Sequence, residues 1–166
     1  YKFTVNDKYA VRFGMGAVKG VGANAVDTIV KNRKDAHYKS IFNIAKKIDL
    51  RAANKKALEN LVLAGGFDSF EGTTRAQYFH DDGDGITFYE KAIRYGAKFQ
   101  ENENSSQVSL FGEASEVQIA EPVVPPCEDW STMEKLAREK EVVGIYISGH
   151  PLDDFKFEMK YFCNSK

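Results

Sequence analysis

The tightest constraint on this chain is Gly20-Val21-Gly22, an apolar residue between two glycines with short apolar segments on both sides. Glycine reaches positive φ without a Cβ penalty and lets a partner come close to the backbone. The triplet therefore reads as a tight turn, with Val21 pointing inward as its anchor. Gly22 opens a helix, because Val26, Ile29 and Val30 repeat at the i, i+3, i+4 spacing of one helical face. The first N–H groups of such a helix have no internal partner and point outward with the positive end of its dipole. A phosphate oxygen fits against them. The candidate phosphate contacts are Lys19, Gly20, Val21, Gly22 and Ala23 at the turn, with Arg33 further along the helix. A Gly-x-Gly triplet also serves as an ordinary turn, so its flanks must carry the functional reading.

Charge adds to that reading. A net charge of −1 hides a division: residues 1–60 hold 13 Lys/Arg against 5 Asp/Glu, and residues 61–166 hold 10 against 19. A DNA-facing module followed by an acidic extension has this distribution, and so does a solvated lysine-rich helix surface. With 166 residues, 43% of them hydrophobic, the chain has room for a sizeable core. It begins at Tyr1 rather than methionine, so a fragment of something longer is expected, and no signal peptide is visible. The apolar runs, such as Val142 to Ile147, are too short to span a membrane. Cys127 and Cys163 are too few for a disulfide framework or a zinc site. A reducing cytoplasm fits.

The remaining segments read mostly as helices. Phe3, Val5, Val11 and Phe13 alternate as in a short strand. Ser40 is an N-cap for a helix with Ile41, Ile44, Ala45 and Ile48 inward and Lys46 and Lys47 partly toward solvent. Asn54 caps another, with Leu58, Leu61 and Val62 inward and Gly65-Gly66 as its stop. Lys55 and Lys56 occupy its first turn, where the dipole disfavours cations; an anionic partner would explain them. Thr73 to Ala76 enters a short helix. Asp81-Asp82-Gly83-Asp84-Gly85 looks like a calcium loop, but aligning Gly85 on the obligatory glycine puts Lys91 where a bidentate Glu is needed. The segment is read as a turn before a helix from Thr87 to Gln100, with no metal ligands. Residues 101–129, polar and then proline-bearing, are expected to be a flexible linker. Ser131 to Glu134 is a capping box, opening a helix with Met133, Leu136, Val143 and Ile147 on one side. His150, before Pro151, is a turn residue, and Leu152 to Phe162 forms a last short helix.

Residues 15–34 resemble a helix-hairpin-helix motif: an apolar helix end, Gly-apolar-Gly, then Val26, Ile29 and Val30 at the apolar positions and Arg33 at one often basic. Val26 departs from the alanine that many members carry there. Three separated pieces resemble the bacterial DNA polymerase III alpha-subunit family. They are Arg12-Phe13-Gly14-Met15-Gly16-Ala17-Val18-Lys19-Gly20-Val21-Gly22, then Asn54-Lys55-Lys56-Ala57-Leu58 running to Ala64-Gly65-Gly66-Phe67-Asp68, and Glu139 to Leu152 with its Ser148-Gly149-His150-Pro151-Leu152 end. Gln107-Val108-Ser109-Leu110-Phe111 is similar to that family's sliding-clamp-binding pentapeptide.

The resemblance implies a mainly α fold: a helix-hairpin-helix domain over 1–100, a linker with the clamp motif over 101–129, and a helical segment over 130–166 leading to a further domain. It implies backbone-directed, sequence-independent binding of duplex DNA and clamp tethering within a DNA-directed DNA polymerase, a nucleotidyltransferase. The family's catalytic carboxylates belong to an upstream palm region that this chain lacks, so no catalytic residue or cofactor is expected here and Mg2+ is expected for the full polymerase. The implied partners are duplex DNA, the sliding clamp and other replicase subunits, in the cytoplasm and without a membrane. A helix-hairpin-helix repair glycosylase would need an aspartate shortly beyond the hairpin, and residues 36–45 contain no carboxylate. A stand-alone DNA-binding accessory module fits the hairpin, but not the pentapeptide or the Ser148 to Leu152 segment.

Overall fold

Helices make up about half of the described residues and dominate the regular structure, as the apolar spacing predicts. The computed structural model describes residues 1–33, 37–108 and 119–163, the backbone alone for 105–108. Strands β1 (Thr4–Val5) and β2 (Val11–Arg12) pair antiparallel with Thr4 opposite Arg12. A 3-10 turn at Met15–Ala17 follows, then α1 (Ala23–Asn32), α2 (Ile41–Lys47), α3 (Lys55–Leu63), α4 (Arg75–Phe79), α5 (Phe88–Val108) and α6 (Thr132–Val143). A second 3-10 turn at Asp153–Phe155 leads into α7 (Lys156–Phe162). The helix starts are local chemistry. The Ser40 hydroxyl accepts from Asn43 N–H, Asn54 accepts from Ala57 N–H, and Thr74 and Gln77 form a reciprocal capping box.

The core lies where α2 and α3 meet α1 and α5. Ile41, Ile44 and Ile48 are buried with Leu58, Leu61, Val62, Val26 and Ile29. Phe42 of α2 packs edge-on against Phe88 and Tyr95 of α5, with ring centroids 5.8 and 5.5 Å apart. At Gly96 the two helix backbones come close: an added Cβ would lie 2.6 Å from the Ala45 carbonyl carbon and oxygen. Gln100 then donates to the Ala45 and Ile48 carbonyls at 2.8 Å each, satisfying acceptors that the end of α2 leaves open.

Several expectations change. Helix α5 runs on to Val108 instead of ending at Gln100; no Gly or Pro interrupts 97–108, and extending an existing helix is far easier than nucleating one. Residues 119–129, expected to belong to a flexible linker, lie against the body together with the Trp130 that follows them. Ile119, Val124 and Trp130 pack on the core, Pro125 accepts from Gln77 at 3.0 Å, and Glu121 pairs with Lys46 at 2.9 Å. Lys46, partly toward solvent as expected, lies over the Tyr95 and Phe99 rings. Helix α6 stops at Val143 because Gly144 turns into the left-handed region at φ +87. Its buried row is Leu136, Glu139 and Val142, while Met133 and Ile147 are exposed. Only half of its capping box forms: Ser131 accepts from Glu134 N–H, but the Glu134 carboxylate pairs with Arg138. On α1, Val30 is exposed and Ala25 is buried beside Val26 and Ile29.

Alanine at a helix-interior glycine ordinarily stabilises by about 1 kcal/mol. Gly96→Ala reverses that sign, because the methyl meets the α2 backbone; urea unfolding should show a loss of about 1–3 kcal/mol.

Candidate nucleic-acid interface

The turn at Gly20 is built from both sides. Gly20 takes φ +75, and Val21 beside it is buried, as the anchor role requires. Gly22, at φ −77 and ψ 168, is the N-cap of α1 and offers no side-chain acceptor. The first helical bond runs from Val26 N–H to the Gly22 carbonyl, so the N–H groups of residues 23–25 lack a helical partner. Gly22, Ala23 and Asn24 are exposed, and the first turn carries no acidic residue. A Cβ at Gly22 would meet nothing within 4 Å. Neither space nor backbone angle inside the chain requires glycine there.

What holds the turn is the Lys19 peptide. Its N–H donates to the Val142 carbonyl at the end of α6 (2.8 Å), and its carbonyl accepts from the Asn60 amide of α3 (2.6 Å). Asn60 is 3% exposed. Lys19 itself points its side chain to an exposed surface. The three stretches that carry the family likeness thus meet at the backbone of one residue, through its N–H on one side and its carbonyl on the other. A second link joins the latter two. Buried Arg75 of α4 binds the Asp68 carboxylate at 2.5–3.1 Å and the Leu63 carbonyl at 3.2 Å, and reaches Glu139 of α6 at 3.5 Å. Hydrogen bonding to Asp68 outweighs burial and holds the Arg75 guanidinium firmly charged. The other Glu139 oxygen accepts from Ile147 N–H, Ser148 N–H and the Ser148 hydroxyl, fixing the chain as it leaves α6.

Lys19, Gly20, Gly22 and Ala23 are therefore exposed side by side with Val21 buried beneath them, and Arg33 is elsewhere. It caps the far end of α1, roughly 16 Å from Gly22 at the helical rise. There it lines a cleft of about 440 Å³ with His37, Tyr38 and Phe70. Tyr38 donates to the Ile29 carbonyl at 2.8 Å; burial raises its pKa and the nearby Arg33 charge works against that. Lys55 and Lys56 have acidic partners within the chain, Glu90 and Glu59, which accounts for cations in the first turn of α3. The Asp81 loop is equally self-contained. Asp81 accepts from Gly83 and Gly85 N–H, and Asp82 and Asp84 pair with Lys91 at 3.1 and 3.0 Å. That hydrogen bond to Lys91 is the main reason Asp84 sits below the usual carboxylate range. Among the described residues no three His, Cys, Asp or Glu side chains gather as a metal site. No helix among them is long and apolar enough to cross a membrane. In the clamp-like pentapeptide, Gln107 and Val108 form the end of α5, while Ser109, Leu110 and Phe111 lie outside the described residues.

Residues 1–78 match the helix-hairpin-helix motif family. The chain is 42% identical over 151 residues to the DNA polymerase III subunit alpha of Campylobacter jejuni, covering 89% of this chain and 12% of that protein. It is 28% identical over 180 residues to the subunit of Pseudomonas fluorescens and 31% over 164 residues to that of Escherichia coli K12. These matches cover 100% and 98% of this chain. Nearly the whole chain thus matches one segment of DNA polymerase III alpha subunits. The chain spans 12–15% of the length of these relatives.

The residue that sequence reasoning missed is Asn60. Its one signal is a carboxamide inside the apolar row Leu58, Leu61, Val62. Asn60→Ala leaves the Lys19 carbonyl without its partner and should cost about 1–2 kcal/mol in chemical unfolding. Amide exchange at Gly20 and Val21 should rise with it; unchanged exchange there would mean that the turn holds without Asn60.

Proposed function

We propose that these residues form the part of a replicative DNA polymerase that grips duplex DNA by its backbone and tethers the enzyme to a sliding clamp. The observation carrying the DNA half is Gly22. It is an exposed glycine at the open start of α1, for which the chain's own packing gives no reason. A phosphate seated on the N–H groups of Ala23 and Asn24 supplies that reason, since a side chain at 22 would block its approach. Lys19 adds a cation beside it. All these donors address phosphates and none reads a base edge, so binding is independent of sequence. Arg33, at the far end of α1, is at most a separate contact on the same duplex. Polymerisation is DNA-directed nucleotidyl transfer, with Mg2+ held by palm carboxylates outside these 166 residues. Other replicase subunits join through the full-length chain, and the assembly works in the cytoplasm.

Duplex affinity should fall steeply with salt, and Lys19→Ala should shrink the slope of log affinity against log salt by about one unit. Gly22→Val should weaken binding to every duplex sequence while lowering stability by no more than about 1 kcal/mol, the cost of a poor N-cap. Anisotropy titrations read both, and a Gly22→Val protein that binds like the parent makes the hairpin a structural turn only.

The clamp half rests on Gln107-Val108-Ser109-Leu110-Phe111. Leu110 and Phe111 suit an apolar pocket, and the Gln107 amide offers a donor and an acceptor at its edge. One such peptide binds weakly, but a second contact made while the DNA is already held forms at high effective concentration. Changing Gln107, Leu110 and Phe111 together to alanine should abolish capture by the cognate clamp in a pull-down, with duplex binding and the melting midpoint unchanged. A lowered midpoint with capture intact would mean that these side chains dock on their own domain.

A further inference from the structure

The hairpin leading into the turn carries a residue that its backbone disfavours. Tyr9, at the tip between β1 and β2, has φ +57, a region that bulky side chains rarely enter. Among the described residues no other non-glycine residue is there. The turn is firmly made. Asn6 N–H donates to the Ala10 carbonyl (3.0 Å) and Tyr9 N–H to the Asn6 carbonyl (2.9 Å). The Asn6 side-chain oxygen accepts from Lys8 N–H (3.0 Å) and Ala10 N–H (2.9 Å). Yet the Tyr9 ring is 91% exposed, so it gains no packing to offset the strain. Glycine would make the same turn with less strain. Packing among the described residues does not explain the ring.

We propose that Lys8 and Tyr9 bind single-stranded DNA, the ring stacking on an unpaired base and the ammonium meeting an adjoining phosphate. Stacking on an aromatic platform beside a cation is how single strands are held without regard to sequence. The surroundings suit a polyanion: residues 1–13 contain Lys2, Lys8 and Arg12 against Asp7 alone. The register places Thr4 and Arg12 opposite each other on one face, with Val5 and Val11 on the other. The hairpin is also fixed to the duplex-facing turn. Gly16 N–H donates to the Tyr1 carbonyl at 3.3 Å, and a Cβ at Gly14 would strike the Tyr1 and Lys2 carbonyls. This contact extends the duplex reading given above, and the composite ligand is a duplex that opens into a single strand.

The test uses the 166-residue chain and one duplex in two forms, blunt and with a five-nucleotide overhang, plus the overhang strand alone. 2-Aminopurine stands at the first unpaired position. The overhang should raise affinity about five-fold or more, the yield of one stacked base, and the probe should be quenched on binding. Tyr9→Phe should keep both effects. Tyr9→Gly should lose both while its melting midpoint rises, because the strained φ is relieved. Equal overhang gain and quench in Tyr9→Gly, or a lowered midpoint, would overturn the contact. Duplex binding with no overhang gain in the parent chain overturns it and leaves the duplex reading standing. Tyr9-dependent binding of the strand alone, with no duplex binding, supports it and overturns the duplex reading. If no form binds, both fall.

Discussion

The Lys19 peptide is the joint on which the rest of this structure hangs. Its N–H is taken by Val142 and its carbonyl by Asn60, residues more than 120 and 40 positions away in the chain. Neither bond is strong against water, and each contributes on the order of 1 kcal/mol. Their effect is geometric. They stop the backbone from rotating just before Gly20 turns to positive φ, so the first turn of α1 faces out at a fixed angle to α3 and α6. The phosphate seat proposed above depends on that rigidity, because backbone N–H groups have no side-chain freedom with which to adjust.

Behind the joint lies a chain of charge that runs from exposed Asp68 to buried Arg75 and Glu139. Replacing such a group by a well-packed apolar side chain is often neutral or stabilising. Here the charges do more than attract. Arg75 also takes a carbonyl at the end of α3, and Glu139 collects two backbone N–H groups and a hydroxyl from 147–148. Each carries out a capping task that no apolar side chain performs. The result ties α3, α4 and α6 together and sets the direction in which the chain leaves α6.

How far the sequence can be read follows from the range of the physics. Caps act over three residues, so Ser40, Asn54 and Thr74 mark their helices correctly. The inward Val21 and the outward Gly22 were legible for the same reason. Helix ends were harder. Gly144 is an ordinary stop, but Val142, Val143, Ile145 and Ile147 look like a continuing apolar face across it. Burial of Arg75 and Glu139 was not legible and that of Asn60 barely so, because their partners lie outside the three-residue reach of a cap. Composition misread residues 119–129 for a related reason: an average over the stretch hides its few anchors, Ile119 and Val124, which hold it down with Trp130 just beyond. Arg33 seemed to belong with the turn until the length of α1 separated them.

The two glycines of the hairpin differ in what can hold them in place over generations. Gly20 sits at positive φ, so any replacement disturbs folding and is removed whatever the protein binds. Gly22 has ordinary angles and empty space around its α-carbon. Selection for a stable fold is nearly blind to it, and drift would fill it within a lineage that had stopped using the surface. A glycine that persists at 22 is then what the proposed phosphate contact predicts, beyond the modest N-cap preference, whereas one at 20 records only that the chain still folds.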